Sequence, residues 1–422
     1  MFNLEGWRIM KKFLISTTAL VAIVASSAFA EASTTPANGL TVTAGGIVDF
    51  QAGFRNQKKG YKVNLSTNNR NVAFMGHAKA YLAATARADM GFKYGGVIQL
   101  NTNVVNYSGN KDAKMEHTYV FVETGLGRVE LGTNSSATQA MKVDAASIAR
   151  ATGGIGGDWN SYVNTTAYEG TSLDASYMVA PDFLSAYRYD SKWSSEKARK
   201  ISYYTQRYNG VQFGISYTPD TGVVGKSYSG GVGGTLITDS GTQGAIKRDP
   251  RVIKNLISGG FNYTNQLDQV GFSVSLLGEI GKGVKNDLET DGKKYRNLRA
   301  WQVGAALDYA GFSVAGSYGV TNKKFANIIP TTETTKKHKD LNYWTAGLAY
   351  AQGPIGVSAT YMNSNWAKNK FKNLVLGADY QLAPGLMPYV EAVFFEYKPK
   401  KGGTVVKKNR GESYIIGTEL RF

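Results

Sequence analysis

Apolar and polar residues alternate with a period of two along most of this chain. Between residues 77 and 90 the even positions are all Ala, Leu or Met, while His77, Lys79, Arg87 and Asp89 stand at odd positions. A helix, with about 3.6 residues per turn, would scatter these polar side chains around its axis, whereas a strand places them on one face. The alternation therefore predicts an all-β chain.

The two faces of these predicted strands differ in an unusual way. In residues 40–55 the even positions are apolar or small, and the odd positions include Thr41, Asp49, Gln51 and Arg55. Strands of a soluble sandwich are usually shorter, and their apolar face is richer in large core residues. An apolar face that accepts many Ala and Gly, opposite a hydrophilic one, suits a barrel with lipid outside and water inside.

The connections between the predicted strands alternate in length. Short connections fall near 91–95, 125–127, 209–210, 265–269, 310–311, 352–353 and 382–387, and long ones near 56–71, 106–115, 134–196, 221–250, 282–298, 321–340, 364–370 and 398–411. Seven short and eight long connections join sixteen strands. This pattern is typical of bacterial outer-membrane barrels, and about sixteen strands leave an open lumen. We therefore predict a transmembrane antiparallel β-barrel.

Composition excludes several classes of function. The formal net charge is +17, but the basic residues come in short runs between apolar stretches, as loop tips do, so nucleic acid is not an expected partner. The chain has no Cys, and its three His residues are far apart without a metal-binding motif. No Gly-x-Ser-x-Gly motif is present either. We expect no enzymatic activity, cofactor or metal.

The N-terminal segment carries the features of a secretory signal. Met10-Lys11-Lys12 is followed by an apolar run, 13–25, and by the small-x-small sequence Ala28-Phe29-Ala30. This order is typical of a cleaved signal peptide, and the apolar run is too short to span a membrane as a helix. We predict a signal peptide at residues 1–30 and a barrel at residues 31–422.

The C-terminal segment alternates to its last residue. Tyr414, Ile416, Thr418, Leu420 and Phe422 share one face in the sequence 414–422. An ordinary edge strand of a soluble sheet would also alternate, but a long exposed edge invites aggregation. Pairing this segment with the first strand would remove both edges and close the barrel.

Several motifs, in this order and spacing, resemble those of the trimeric Gram-negative porins, especially the general porins of alphaproteobacteria. They are the segments 48–55, 127–132, 200–204, 214–219 and 417–422. The resemblance covers nearly the whole mature chain. It implies a homotrimer in the bacterial outer membrane that passes small hydrophilic solutes and ions by passive diffusion. It also implies that Gly417, Leu420 and Phe422 form the signal read by the outer-membrane assembly machinery.

In such porins the third long loop folds inward and narrows the pore. The matching segment is 134–196, in which residues 141–150 are predicted to form a short helix. The expected constriction charges of this loop are Lys142, Asp144, Arg150 and Asp158. The expected charges on the pore wall, assigned from the period of two, are Asp49, Arg55, Lys79, Arg87, Glu123, Arg128 and Glu130. Solvated lining remains the alternative for each of them, since polar lumens carry many charges.

The positive charge also suggests partners outside the pore. The loops at 321–340 and 398–411 are strongly basic and would meet the phosphates of lipopolysaccharide and other outer-membrane lipid if they face outward. We hypothesise a weak preference for anions. Two alternatives stay open: an adhesin or structural barrel that acts through these basic loops, and a barrel hydrolase.

Aromatic residues near the predicted strand ends are candidates for girdles at the membrane interfaces. They are Trp301, Tyr343, Trp344, Tyr380, Tyr389, Tyr397 and Tyr414.

Overall fold

A computed structural model describes residues 32–34, 39–58, 71–103, 114–163, 177–186, 195–196, 198–221, 253–283, 297–322, 340–366, 368–399 and 408–422. The strands are β1 (Ala32–Thr34), β2 (Thr41–Gln57), β3 (Val72–Arg87), β4 (Lys93–Asn103), β5 (Lys114–Thr124), β6 (Gly127–Thr133), β7 (Arg199–Thr205), β8 (Val211–Asp220), β9 (Ile253–Leu267), β10 (Val270–Gly283), β11 (Leu298–Tyr309), β12 (Phe312–Thr321), β13 (Leu341–Gln352), β14 (Ile355–Trp366), β15 (Asn369–Tyr380), β16 (Leu386–Lys398) and β17 (Asn409–Arg421). The predicted signal peptide, 1–30, lies outside the described residues, as do most of the basic loops.

The sixteen strands β2 to β17 form a closed antiparallel ring. Each strand pairs with the next, and the last strand pairs with the first, for example Thr418 with Phe50. The seam continues at the chain end, where the Gly46 N–H donates to the Phe422 carbonyl at 2.7 Å. Beyond that point the short strand β1 pairs with β2, with Ala32 opposite Ala44. The predicted barrel of sixteen strands is confirmed, while β1 is an addition that the pattern did not predict.

Seven short connections lie at one end of the barrel, and the other end carries the longer connections together with the two-residue connection between β14 and β15. At Ala310–Gly311 both residues have positive φ, 49° and 87°, as a two-residue turn between twisted strands requires. The predicted long connection at 364–370 is wrong. Strand β14 continues to Trp366 and β15 begins at Asn369, so only residues 367 and 368 connect them.

The outer face of the barrel is apolar and exposed. On β11 the side chains of Val303 and Leu307 are 40% and 56% exposed, whereas Gln302, the residue before Val303, is fully buried on the inner side. Soluble proteins have the opposite arrangement, because water drives apolar surface inward. The inversion matches a wall that faces lipid on its outside. Among the described residues, no helix has the length and apolarity to cross a membrane.

Four of the predicted girdle aromatics lie on this exposed outer face: Trp301, Trp344, Tyr380 and Tyr414. The other three do not belong to a girdle. Tyr343, Tyr389 and Tyr397 are buried on the inner face of their strands, one residue away from the outward-facing positions. Their assignment to a girdle was wrong.

The outer face of β11 offers a direct test of lipid contact. Ala305 is exposed midway between the outward aromatics Trp301 and Tyr309. We expect Ala305→Arg to lower the free energy of unfolding in lipid vesicles by about 2–4 kcal/mol, because a charge at the bilayer midplane is costly. Urea titration of the folded barrel measures this. Ala305→Leu, the control, should leave the value nearly unchanged, and an equal effect of both variants would contradict lipid contact.

Candidate functional site

Residues 134–163, which follow β6, contact side chains on the inner face of several strands. This segment contains a helical turn at Ala137–Ala140 and three 3-10 turns at Ala145–Ile148, Gly154–Gly156 and Asp158–Ser161. The predicted helix over 141–150 is wrong. Asp144 is extended, with φ −159° and ψ −178°, and its Oδ1 caps the following turn by accepting from the Ala146 N–H at 2.8 Å. A local side-chain cap competes here with a longer helix.

Hydroxyl groups of the wall hold the backbone of this segment. Each accepts a hydrogen bond from a loop N–H that would otherwise be unpaired, and the wall strands involved are β8, β10, β13 and β14. The pairs are Ala137 with Ser216 at 2.8 Å, Val143 with Ser275 at 3.1 Å, Ala145 with Thr345 at 3.3 Å, Arg150 with Ser358 at 2.9 Å, and Ile155 with Thr360 at 3.1 Å. Irregular backbone can lie inside the barrel because its polar groups find these partners.

Glycine on the wall lets the loop approach closely. A Cβ on Gly304 would lie 1.8 Å from the Val143 carbonyl oxygen, and one on Gly356 would lie 2.2 Å from Nε of Arg150. Any side chain at Gly304 would therefore push the loop backbone away from the wall.

Three wall carboxylates outside the predicted set of site residues also hold the loop. Asp379 on β15 receives a hydrogen bond from Nε of Arg150 at 2.9 Å and a second from its Nη2. Thr138 donates to Glu279 on β10 at 2.8 Å, and Thr152 donates to Glu391 on β16 at 2.9 Å. All three carboxylates occupy inner-face positions, so the period of two, extended to β10, β15 and β16, was the signal that could have found them.

The predicted constriction residue Lys142 is part of a clip within the loop. Its Nζ lies 3.2 Å from Oδ2 of Asp144 and 2.6 Å from Oδ1 of Asp182, and it donates to the Pro181 carbonyl at 2.9 Å. Burial lowers the pKa of Lys142, but the charges of Asp182 and Asp144 outweigh it and hold the pKa above its ordinary value. The ammonium group therefore joins two parts of the loop as a cation.

An aromatic cluster fills part of the barrel beside β15 and β16. Trp159 of the loop stacks on Phe371, with ring centroids 5.6 Å apart, and Tyr397 packs against Phe371 at 4.7 Å. Tyr177 meets Tyr397 edge-on at 4.9 Å. These rings are buried, so this sector of the interior is packed with side chains.

The remaining loop charge, Asp158, meets the first wall strand. Its Oδ2 accepts from Nε2 of Gln51 at 2.9 Å, and the same amide nitrogen lies 3.3 Å from Oδ1 of Asp49. Tyr389 donates to Asp49 at 2.7 Å and Tyr162 donates to Gln51 at 3.0 Å. The structure thus brings the predicted Asp49 and Asp158 together through one glutamine.

The predicted wall charges form two groups that lie at different distances from the short turns. Near the short turns, Arg87, Lys93, Glu123 and Arg128 stand side by side across β3 to β6, in cross-strand register. Further from the short turns, Lys79 forms an ion pair with Glu116 at 3.3 Å, and His77 stands opposite Asp49. Lys93, Glu116 and His77 were not among the predicted site residues.

Arg128 is the most firmly held of these cations. Its Nε lies 2.7 Å from Oε1 of Glu130, its Nη1 lies 3.5 Å from Glu123, and its guanidinium covers the ring of Phe121 at 3.8 Å. Glu130 is fully buried and also accepts from Asn134 at the start of the loop. Arg55, by contrast, is partly exposed toward the end of β2, away from both groups.

In the ranges that the structure describes, no group of three or more His, Asp or Glu side chains is arranged to hold an ion.

Comparison with known proteins supplies the family. A family model described as Gram-negative porin matches residues 16–400. An uncharacterized protein of Rickettsia bellii is 29% identical over 98% of this chain and 100% of its own length. The outer membrane channel DcaP of Acinetobacter baumannii has a TM-score of 0.56 at 11% identity, over 93% of this chain and all of that chain. An anion-selective porin from Comamonas acidovorans has a TM-score of 0.53 at 14% identity, over 91% and 100%.

Cysteine cross-linking can test the position of the loop. The chain has no native Cys, and a Cβ on Gly377 of β15 would lie 3.3 Å from that of Ala151 in the loop. This separation is close to the range that a disulfide bridges. We expect Ala151→Cys with Gly377→Cys to form an intramolecular disulfide under mild oxidation, seen as a shift on a non-reducing gel. Ala151→Cys with Gly96→Cys, on the far outer face, should not, and failure of the first pair would contradict this docking.

Proposed function

The chain belongs to the Gram-negative porin family of the outer membrane, and we propose that its barrel passes small hydrophilic solutes and ions by passive diffusion. The observation that carries the proposal is the inverted wall: apolar side chains are exposed outside, and Ser, Thr, Gln and carboxylate side chains face the interior. A polar interior in a closed barrel of this size allows water to enter. Family and fold point to a channel rather than an enzyme.

We propose that the loop leaves the water path on one side of the interior. Residues 134–163 contact strands β7 to β16, and they reach β2 through Gln51. The aromatic cluster around Trp159 adds to the filled sector. The path would then run beside β3 to β6, between this wall and the loop residue Asp158. This arrangement supports the inward-folded third loop that we predicted.

Within this path the Lys79–Glu116 pair exposes its cation, whereas the Arg128–Glu123 pair exposes its carboxylate more, 36% against 16%. The side chain of Lys79 is 33% exposed, whereas that of its partner Glu116 is 6% exposed. Arg87 is exposed, while Asp49 is buried and hydrogen-bonded. Charges in a narrow path with low-dielectric walls act strongly on passing ions. We propose a weak preference for anions on this basis, and the anion-selective Comamonas porin shares the fold.

Three parts of the proposal come from the family and the sequence. The predicted signal peptide, 1–30, would be removed on export, so that the barrel begins near Glu31. The chain would assemble as a homotrimer, and Gly417, Leu420 and Phe422 would serve the assembly machinery. Phe422 ends the chain on the outer face of the closing strand, 48% exposed.

Single-channel recording in planar bilayers tests conduction. We expect the purified protein to give large stepwise increases in conductance, in groups of three if the trimer conducts as one unit. Heat-unfolded protein in the same detergent is the control. A folded, inserted barrel that stays silent would refute the channel.

Ion preference can be tested by charge reversal on either side of the wall. We expect Lys79→Glu to shift the reversal potential in a KCl gradient toward cation preference, because it replaces a water-exposed lumenal cation by an anion. Lys372→Glu makes the same change on the outer face and should leave the reversal potential unchanged. Equal shifts for both variants, or none for Lys79→Glu, would contradict a selective path beside β3.

A further inference from the structure

A groove of about 600 Å³ lies on the outer face of the barrel, where β14 to β17 and β2 approach the ends that carry the longer connections. Its lower part is apolar. Leu374 stands opposite Phe394 in the register of β15 and β16, and Tyr361 of β14 stands on the other side of Leu374. These side chains belong to the same outward rows as the exposed apolar residues of the wall.

Directly above this apolar part the same outward rows become charged. Lys372, Glu396 and Arg410 are cross-strand neighbours on β15, β16 and β17. Lys370 and Lys398 pair with each other one step further up the wall. On each strand, one outward residue is apolar and the next outward residue is charged. This change marks the boundary between hydrocarbon and headgroups.

The carboxylates of this region are already engaged, and most of its cations are not. Glu396 forms an ion pair with Lys408 at 2.5 Å. Glu412 accepts hydrogen bonds from Asn56 at 3.2 Å and from the Tyr414 hydroxyl at 3.1 Å. Lys372 and Arg410 are exposed, and in the part of the chain that the structure describes no carboxylate pairs with either of them. The region therefore carries a net positive charge, since Lys370, Lys372, Lys398, Lys408 and Arg410 stand against Glu396 and Glu412.

We propose that this groove binds the phosphorylated headgroup of an anionic lipid in the outer leaflet. Lys372 and Arg410 would contact the phosphate, and an acyl chain would lie on Leu374 and Phe394. A guanidinium group suits phosphate because its N–H groups donate in pairs. A lipid matches both the charged part and the apolar part of the groove, because it carries a negative charge directly above hydrocarbon. Free phosphate would gain nothing from the apolar part.

The connection between β14 and β15 favours access from the bilayer. It consists of residues 367 and 368 alone, so these two strands end without a long loop above Lys370 and Lys372. The proposal rests on the outer-membrane location of the family and is independent of conduction through the lumen.

The test is lipid binding measured by native mass spectrometry on the purified, folded barrel. The probe is lipid A carrying both phosphates, and its dephosphorylated form is the comparison. We expect Lys372→Glu with Arg410→Glu to weaken binding of the phosphorylated lipid by about tenfold or more, because each cation near an anionic headgroup contributes. Lys372→Gln with Arg410→Gln should weaken it less, and this milder pair covers the case in which charge reversal impairs folding.

A matched control reverses two outward cations at the same end of the barrel but far from the groove. Lys282→Glu with Arg299→Glu, on β10 and β11, should bind like the unmodified protein.

Equal binding of phosphorylated and dephosphorylated lipid would overturn the proposal, as would an equal loss in the control pair. If inorganic phosphate competes as effectively as lipid A, the groove binds a free anion and the proposal is wrong. If the variants change the oligomeric state but not lipid binding, the groove is an interface with a second copy of the chain. Single-channel conductance should be unchanged in all these variants, which separates this test from that of the channel.

Discussion

Every backbone N–H and C=O group at membrane depth must find its partner within the protein, because hydrocarbon offers none. In this chain the pairing of β17 with β2 meets that demand, and the seam is extended by the mutual hydrogen bonds of Gly46 and Phe422. Once the ring is closed, the pleat of each strand leaves only two directions for side chains, toward lipid or toward the interior. The inverted distribution of Val303 and Gln302 on β11 follows from this closure.

The polar inner wall then serves two purposes at once. It can face water, and it also supplies partners for the irregular backbone of residues 134–163. Short hydroxyl side chains such as Ser275 and Thr360, and the absence of a side chain at Gly304, let that backbone lie against the wall. Long charged side chains in the same places would hold it away. The distribution of short and long inner-face residues therefore decides which sector the loop fills and which stays open.

Features that depend on local chemistry could be predicted from the sequence, and features that depend on distant contacts could not. The strands and most turns follow from the period of two and from Asn and Gly residues at the turns. The connection at 364–370 was misjudged because polar residues such as Asn363 and Asn365 suggest a loop, although they continue a strand beyond the apolar band. The partnership of Arg150 with Asp379 joins residues 229 positions apart, and no spacing within one element indicates it.

The barrel wall also separates the positive charge into two populations with different environments. Inside, Arg128 and Lys142 are held by carboxylates at short distances, so their charge is largely compensated where it stands. Outside, Lys372 and Arg410 lie above an apolar surface without such partners. The barrel wall, a low-dielectric layer, lies between these two sets of charges. The net charge of +17 is therefore not one property of the molecule, because a cation on one face of a strand stands toward the interior and a cation on the other face stands toward the outside.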